Sequence, residues 1–415
     1  MSAGTSGCSL AAVDWTPTRA AGLARLEFFL PQAGRDYARD RNVDRGPSDR
    51  ANVSALSPWI RRRLITEEEV IAAVLKHHSF EAAEKFIQEV FWRSYWKGWL
   101  EMRPGVLVHF DADRRALQET WAGHQGFRRA MDGRTGIACF DAWVRELIEI
   151  GWLHNHARMW FASIWIFTLR LPWELGAAFF FEHLLDGDAA SNTLSWRWVA
   201  GLQTAGKTYV ARADNIAHYT EGRCAPAAGQ LAPAAFAITE EPLPKVAAWT
   251  EDGLWSATAA TGGAGERVGL WLHAEDLAVE IGELAGENIA SVNAAWPTGI
   301  AARAGWGESV AGWTRSALGD GATRAGAHFG VVVMGGATDD LAAELVEWAK
   351  TQGLRRVVAY RPCIGPWLDE GLAAERALGA AGIALTWRRR AWDTELFPHA
   401  GRGYFPFWER VKAAS

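Results

Sequence analysis

The amino-acid sequence predicts an all-helical N-terminal half joined to a C-terminal half built on a Rossmann-like parallel α/β sheet. Three observations carry this. From about residue 20 to 222, apolar residues recur at three- and four-residue spacing, with capping residues between segments. Residues 224–266 then shift to Ala, Pro, Gly and Thr, with Pro226, Pro233, Pro242 and Pro244 followed by Gly262 and Gly263. Beyond them, short apolar runs alternate with helical stretches, as in parallel strands with crossover helices. The expected organisation is a helical domain over 1–223, a linker over 224–266 and an α/β domain over 267–415.

Taken in order, Thr66-x-x-Glu69 predicts a capping box that opens one helix. Ser79 predicts the start of a long helix through Glu101, and Asp141 is placed to cap the helix carrying Trp143, Leu147 and Ile150. The longest apolar run, 159–185, is broken by Arg170, Pro172 and Glu174, so a buried helical pair is expected there and not a membrane span. In the second half, VGLWLH (268–273), FGVVVM (329–334) and RRVVAY (355–360) are expected as strands, with helices over 338–351 and 367–380.

Composition narrows the function classes. At 415 residues the chain exceeds one ordinary core. Cys8, Cys139, Cys224 and Cys363 lack metal-type spacing and the N-terminus carries no signal-peptide pattern. The expectation is therefore a soluble, cytoplasmic monomer without disulfides or a metal. A formal charge of −5 argues against indiscriminate nucleic-acid binding, so any DNA contact must be a local patch. Arg61-Arg62-Arg63 and Arg388-Arg389-Arg390 are the two basic runs, each expected as a solvated charged face. The 24 tryptophans imply aromatic stacking, a large core or a pathway for electrons.

Chemistry concentrates in residues 151–200, where GW-x-HN-x-x-RM, LLDGD-x-x-x-N and W-x-W follow one another. On the helix before them, Phe86, Glu89, Trp92, Arg93 and Trp96 share one broad face by spacing. A Glu and an Arg are costly to bury unpaired, so this face reads as a pocket wall. The order of these motifs resembles the flavin-binding heart of the photolyase/cryptochrome family. The second half resembles that family's α/β domain in VGLWLHAEDL (268–277) and GYFPFW (403–408), and residues 15–58 resemble the segment that opens its helical domain. Familiar members place the α/β domain first. Here it follows, so the chain reads as circularly permuted.

The resemblance implies FAD as cofactor. It assigns the phosphate side to Tyr37 and to the Asn52, Ser54, Leu56 and Ser57 loop, with Ala55 where the family has a basic residue. Phe86, standing where the family often has Trp, and Arg93, Arg158, Asp186, Asp188 and Asn192 complete the cofactor set, with Arg158 paired to Asp186. Asn192 falls opposite flavin N5, where a neutral amide tolerates an anionic reduced flavin. Glu89, Trp92, Met159, Trp198 and Asn155 match the substrate side of enzymes acting on cyclobutane pyrimidine dimers, with Trp92 and Trp198 as a wedge for the flipped-out pair. His154 and His156 flank Asn155 and are expected as structural residues. Trp196, Trp173 and Trp121 match an electron-transfer chain from surface to flavin. The implied function is light-driven repair of UV-damaged DNA. The alternative is a cryptochrome-like photoreceptor that signals through flavin photoreduction without repair. The α/β half is of the antenna-binding type, although no pocket motif in it names a chromophore.

Overall fold

The structure is a computed structural model that describes residues 13–204, 206–241 and 267–414. Cys8 and the 242–266 portion of the expected linker lie outside the described residues. Helices run from Arg19–Phe29 to Ala213–Tyr219 with no strand between them among the described residues. Thr66 and Glu69 form the expected reciprocal capping box, and Ser79 caps the long helix Phe80–Glu101. Asp141 plays a different part from the one expected. The helix Ala138–Ile150 starts three residues before it, with Ile137 at the cap. From inside the first turn its carboxylate reaches back to the amides of Thr135 at 2.9 Å and Gly136 at 3.0 Å, closing the preceding loop. The long apolar run folds as the helix Asn155–Ser163, a π-helical turn Ile164–Thr168 and the helix Trp173–His183, which Pro172 precedes.

In the second half, strands β1 (Val268–Trp271), β2 (Ile289–Asn293), β3 (Val333–Met334), β4 (Arg356–Tyr360) and β5 (Ala384–Arg388) form one parallel sheet in the order β3-β2-β1-β4-β5. The run 329–334 yields only the two residues of β3. Phe329 still belongs to the helix Glu308–Phe329, and Gly330 ends that helix at φ +67°. Strands β2 and β5 escaped the sequence reading because polar residues interrupt IASVN and ALTWR. Strand order reverses about β1 and β4, so the crevice beyond their carboxyl ends is the topological switch point of this sheet. His273, Glu275 and Asp276 leave β1 there, and their neighbours come from the helical half.

That meeting of halves corrects the reading of both basic runs. Arg61, Arg62 and Arg63 are buried, not solvated. Arg61 forks onto Glu275 at 2.7 and 2.8 Å, and Arg62 joins it at 3.2 Å. Arg63 forks onto Asp393 at 2.6 and 2.8 Å and also reaches Asp276. From the other run, Arg390 forks onto Asp276, Arg389 bonds Glu101 and Arg388 bonds Glu287. Fork-to-fork pairing gives Arg61, Arg63 and Arg390 two parallel bonds each in fixed geometry. The seam continues in Trp313 Nε1 donating to the Trp15 carbonyl and Trp392 Nε1 to Ser94 Oγ, and one hydrophobic cluster spans both halves. Residues 224–241 contain no helix or strand and lie along the helical half, with Ala232 N–H on Thr168 Oγ1 and Glu240 on Arg197. No helix among the described residues is long and apolar enough to cross a membrane.

Candidate functional site

The acidic turn is built by its neighbours. Leu185 N–H bonds the Gly151 carbonyl at 2.9 Å, which ties the turn Asp186-Gly187-Asp188 to the loop before the helix Asn155–Ser163. Gly187 adopts φ +46°, and any side chain there would press into the Trp306 indole. Asp188 caps the helix Ala189–Ala200, one oxygen accepting from the amides of Ala190 and Ser191. Its other oxygen accepts from Arg93 Nη1 at 2.6 Å, and Arg61 Nε lies 3.7 Å away. Burial alone would push this carboxyl up; Arg61, Arg93 and Lys97 outweigh it and hold it far below the usual carboxylate range. The expected pair of Arg158 with Asp186 is present at 3.1 Å, and Arg158 Nε is fixed by the Leu153 carbonyl.

The loop 52–57 is held from behind by Arg25, which sequence reasoning missed. Its guanidinium donates to the carbonyls of Ser54, Arg50 and Val53 at 2.6 to 2.8 Å. Asn52 donates to the Asp40 and Val43 carbonyls, so its amide braces the loop and its oxygen is what remains for a ligand. Ala55 takes a left-handed φ of +52°, Leu56 is buried, and Ser57 Oγ accepts from Trp152 Nε1 at 3.2 Å. The helix opening at Ser57 ends at Arg61, too short to add much of a dipole. Tyr37 lies on the helix Arg35–Asp40, whose last carbonyl accepts from Asn52. Its ring sits edge-on between Phe29 and Phe86, and its contacts are with that aromatic trio and Arg41.

A second group of residues faces outward. Glu89, Trp92, Met159 and Trp198 are partly exposed and Asn155 is exposed, whereas Phe86, Asp186, Asp188 and Asn192 are buried. Glu89 pairs with Arg41, another residue without a sequence signal. Burial pushes the Glu89 carboxyl up against the opposing pull of Arg41. Asn192 donates its amide to the Ala177 carbonyl at 2.9 Å. The expected wedge is not assembled as a bare pair. Trp92 stacks on Tyr404 with ring centroids 3.6 Å apart and planes 7° apart, and Trp198 stacks on Tyr209 at 5.7 Å. Stacking favours any flat ring brought alongside, and here Tyr404 already fills one face.

The three tryptophans are only partly brought together. Trp196 is buried against Phe180, Phe161 and Trp165, and its ring lies on Gly176, in the helix that starts at Trp173. Trp173 packs on Phe110 at 5.6 Å. Trp121 closes the helix Gly105–Trp121 and lies over His124 at 4.5 Å, a contact made by the local turn and not by the other two indoles. Trp165, which no motif singled out, is an indole that meets Trp196, edge-on at 6.3 Å.

The donor set fits an acceptor-rich ligand. Beside the acidic turn, Arg61 Nε, Arg62 Nε and Nη2, and Trp306 Nε1 are buried without a hydrogen-bond acceptor. Buried donors are normally satisfied, so such a concentration marks a place for acceptor atoms. A cavity of about 30 Å³ next to Gly187 and Trp306 has room for a water or two, not for a flavin ring. Arg93, Arg158, Asp186, Asp188 and Asn192, expected as cofactor residues, do not line this cavity.

Comparison with known proteins bears on this arrangement. Residues 86–222 match the family model described as the FAD binding domain of DNA photolyase. The chain is similar to the deoxyribodipyrimidine photo-lyases of Vibrio cholerae (28% identity, 48% of this chain and 46% of that protein) and Synechococcus sp. (31%, covering 44% and 39%). A similar protein from Streptomyces griseus, also a deoxyribodipyrimidine photo-lyase, is 35% identical over 35% of each chain. The chain thus matches less than half the length of these curated relatives. Among solved structures, a cryptochrome from Synechocystis sp. aligns with a TM-score of 0.43 and 24% identity, covering 49% of this chain and 43% of that one. By this match a domain similar to the FAD binding domain of DNA photolyase lies N-terminal to the parallel α/β sheet, an order consistent with circular permutation.

Proposed function

We propose that this protein binds FAD and uses light to split cyclobutane pyrimidine dimers in UV-damaged DNA. The observation that carries the reading is the gradient of burial across the site. Phe86, Asp186, Asp188 and Asn192 of the expected cofactor set are buried, Arg93 and Arg158 are half-buried, and of the residues expected to meet substrate Glu89, Trp92, Met159 and Trp198 are half-buried and Asn155 exposed. FAD, when bound, supplies light absorption and single-electron transfer to the dimer. Arg93 and Arg158 hold its polar edge, Asp186 and Asp188 hold those guanidiniums, and Asn192 presents a neutral amide. Trp92 and Trp198 receive the flipped-out bases, each stack contributing about 1–3 kcal/mol against extrusion from the duplex. Glu89, whose carboxyl burial pushes up against the pull of Arg41, hydrogen-bonds the lesion where negative charge develops. Met159 packs on the lesion, and Asn155 stands at its rim.

The stack of Tyr404 on Trp92 favours a second reading, a photoreceptor whose substrate face is covered by its own chain. Illumination of a dimer-containing oligonucleotide with purified, photoreduced protein decides between them. Light-dependent recovery of intact thymines, lowered at least tenfold in Glu89→Ala, is the expected result. Flavin bleaching with the dimers left intact would give the sensor reading precedence. A colourless protein that takes up no FAD would remove both.

A further inference from the structure

The C-terminal segment carries a feature that the proposed site does not use. Pro398, His399, Gly401, Arg402, Pro406 and Arg410 line a surface groove of about 390 Å³. Arg402 and Arg410 are exposed, and neither has a carboxylate partner among the described residues. Arg103 adds a third such guanidinium, lying over Trp99 and donating to the Gly401 carbonyl. The carboxylates at this end, Glu84 and Glu409, are taken by Lys412. Phe405, which lies between Arg402 and Arg410 in sequence, has 70% of its surface exposed, in a chain that buries nearly all its other described large aromatics. The segment is also rigidly placed. Tyr404 donates to the Gln88 carbonyl at 2.6 Å, and Tyr95 donates to the Arg402 carbonyl at 2.8 Å, both on the helix Phe80–Glu101. Phe405 is therefore the immediate neighbour of the ring stacked on Trp92.

We infer that this face, formed by Arg103, Arg402, Phe405 and Arg410, grips the DNA strand flanking the lesion. The inference rests on the reading of Trp92 as substrate-facing. Unpaired guanidiniums in an otherwise acidic chain suit phosphate oxygens, which they bind in charge-assisted, bidentate fashion. An exposed aromatic ring on the same segment suits an unstacked base, the combination found where proteins track single-stranded or opened nucleic acid. A protein partner would more often meet an apolar centre with a polar rim, and here Arg402 and Arg410 line the groove itself.

The test compares the whole protein with the double variant Arg402→Ala/Arg410→Ala and with Phe405→Ala. Fluorescence anisotropy is measured over a salt series on a duplex with one thymine dimer and on the same duplex undamaged. Loss of two phosphate contacts should lower the slope of log affinity against log salt by about 1.8, equally on both duplexes. Phe405→Ala should weaken the dimer-containing duplex about tenfold and the undamaged one much less. All three side chains lie outside the flavin site, so flavin absorbance and unfolding midpoint serve as controls for folding. Splitting of a short dimer-containing dinucleotide, which cannot reach the groove, should be unchanged. A salt slope within 0.3 of wild type would overturn the inference even if repair proceeds. Wild-type binding to undamaged duplex without repair would remove the repair reading alone, the slope still deciding the groove; no DNA binding at all would overturn both.

Discussion

His154 shows how much a single buried ring sets in this molecule. Its Nδ1 accepts from the His156 amide at 3.1 Å, and almost none of its surface is exposed. Burial pushes it down to about 3 against the attraction of Asp44. Because the folded value lies below the ordinary 6.5, the unfolded chain takes up a proton first as pH falls. The stability is fully present above pH 6.5 and is lost as pH drops towards about 3, at about 1.4 kcal/mol per pH unit. His156, pushed down to about 4 by burial, adds to the same acid limb. Urea unfolding of wild type and His154→Gln between pH 7 and pH 4 should show the variant with the shallower loss. Parallel curves would mean that His154 is protonated without penalty. Both histidines were expected as structural residues, but their depressed titration was not legible, because it depends on burial and on Asp44, Arg50 and Arg41, which only the tertiary fold brings near.

Among the elements, the helix Trp173–His183 depends most on one small residue. Gly176 faces the six-membered ring of Trp196, and Trp165 stands beside both. A methyl group there would overlap the Trp196 ring, so Gly176→Ala should destabilise the fold by about 1–3 kcal/mol through overpacking. It should also slow light-driven flavin photoreduction, because Trp196 must turn away from its aromatic neighbours. Thermal unfolding and the photoreduction rate read the two effects, and a variant unchanged in both would show that the ring has room. Trp173, Trp196 and Trp121 were expected from the resemblance alone, and their surroundings were not legible: Trp173 packs on Phe110 and Trp196 on Phe180 through helices that only the fold brings together, while Trp121 lies on His124 three residues on. The capping box at Thr66 and Glu69 was readable because both partners lie within one turn. Strand β3 was overread for the opposite reason: the helix before it uses up half of an apolar run that looks continuous.

For the molecule as a whole, the seam of Arg61, Arg62, Arg63, Arg390, Glu275, Asp276 and Asp393 holds the two halves together. These partners are 213 and 330 residues apart in sequence, so the basic runs gave no sign of their destination. A triple-arginine run is usually a solvated face, and only the return of the α/β half against the helices makes it a buried one. Removing one partner leaves the others charged and dry, so Arg63→Ala should cost about 3–5 kcal/mol. The seam also implies one cooperative unfolding transition for the chain. Far-ultraviolet circular dichroism and tryptophan fluorescence should give coincident midpoints, and a clear separation of the two would mean that the halves unfold independently.

Depth below the surface also decides how these charges respond to ions. Guanidinium–carboxylate forks shut away from solvent lie beyond the reach of a counterion cloud, while cations on an open groove are screened within about 8 Å at physiological ionic strength. A strong brine wash should therefore strip polyanions from the outside of this protein and leave its two parts clasped.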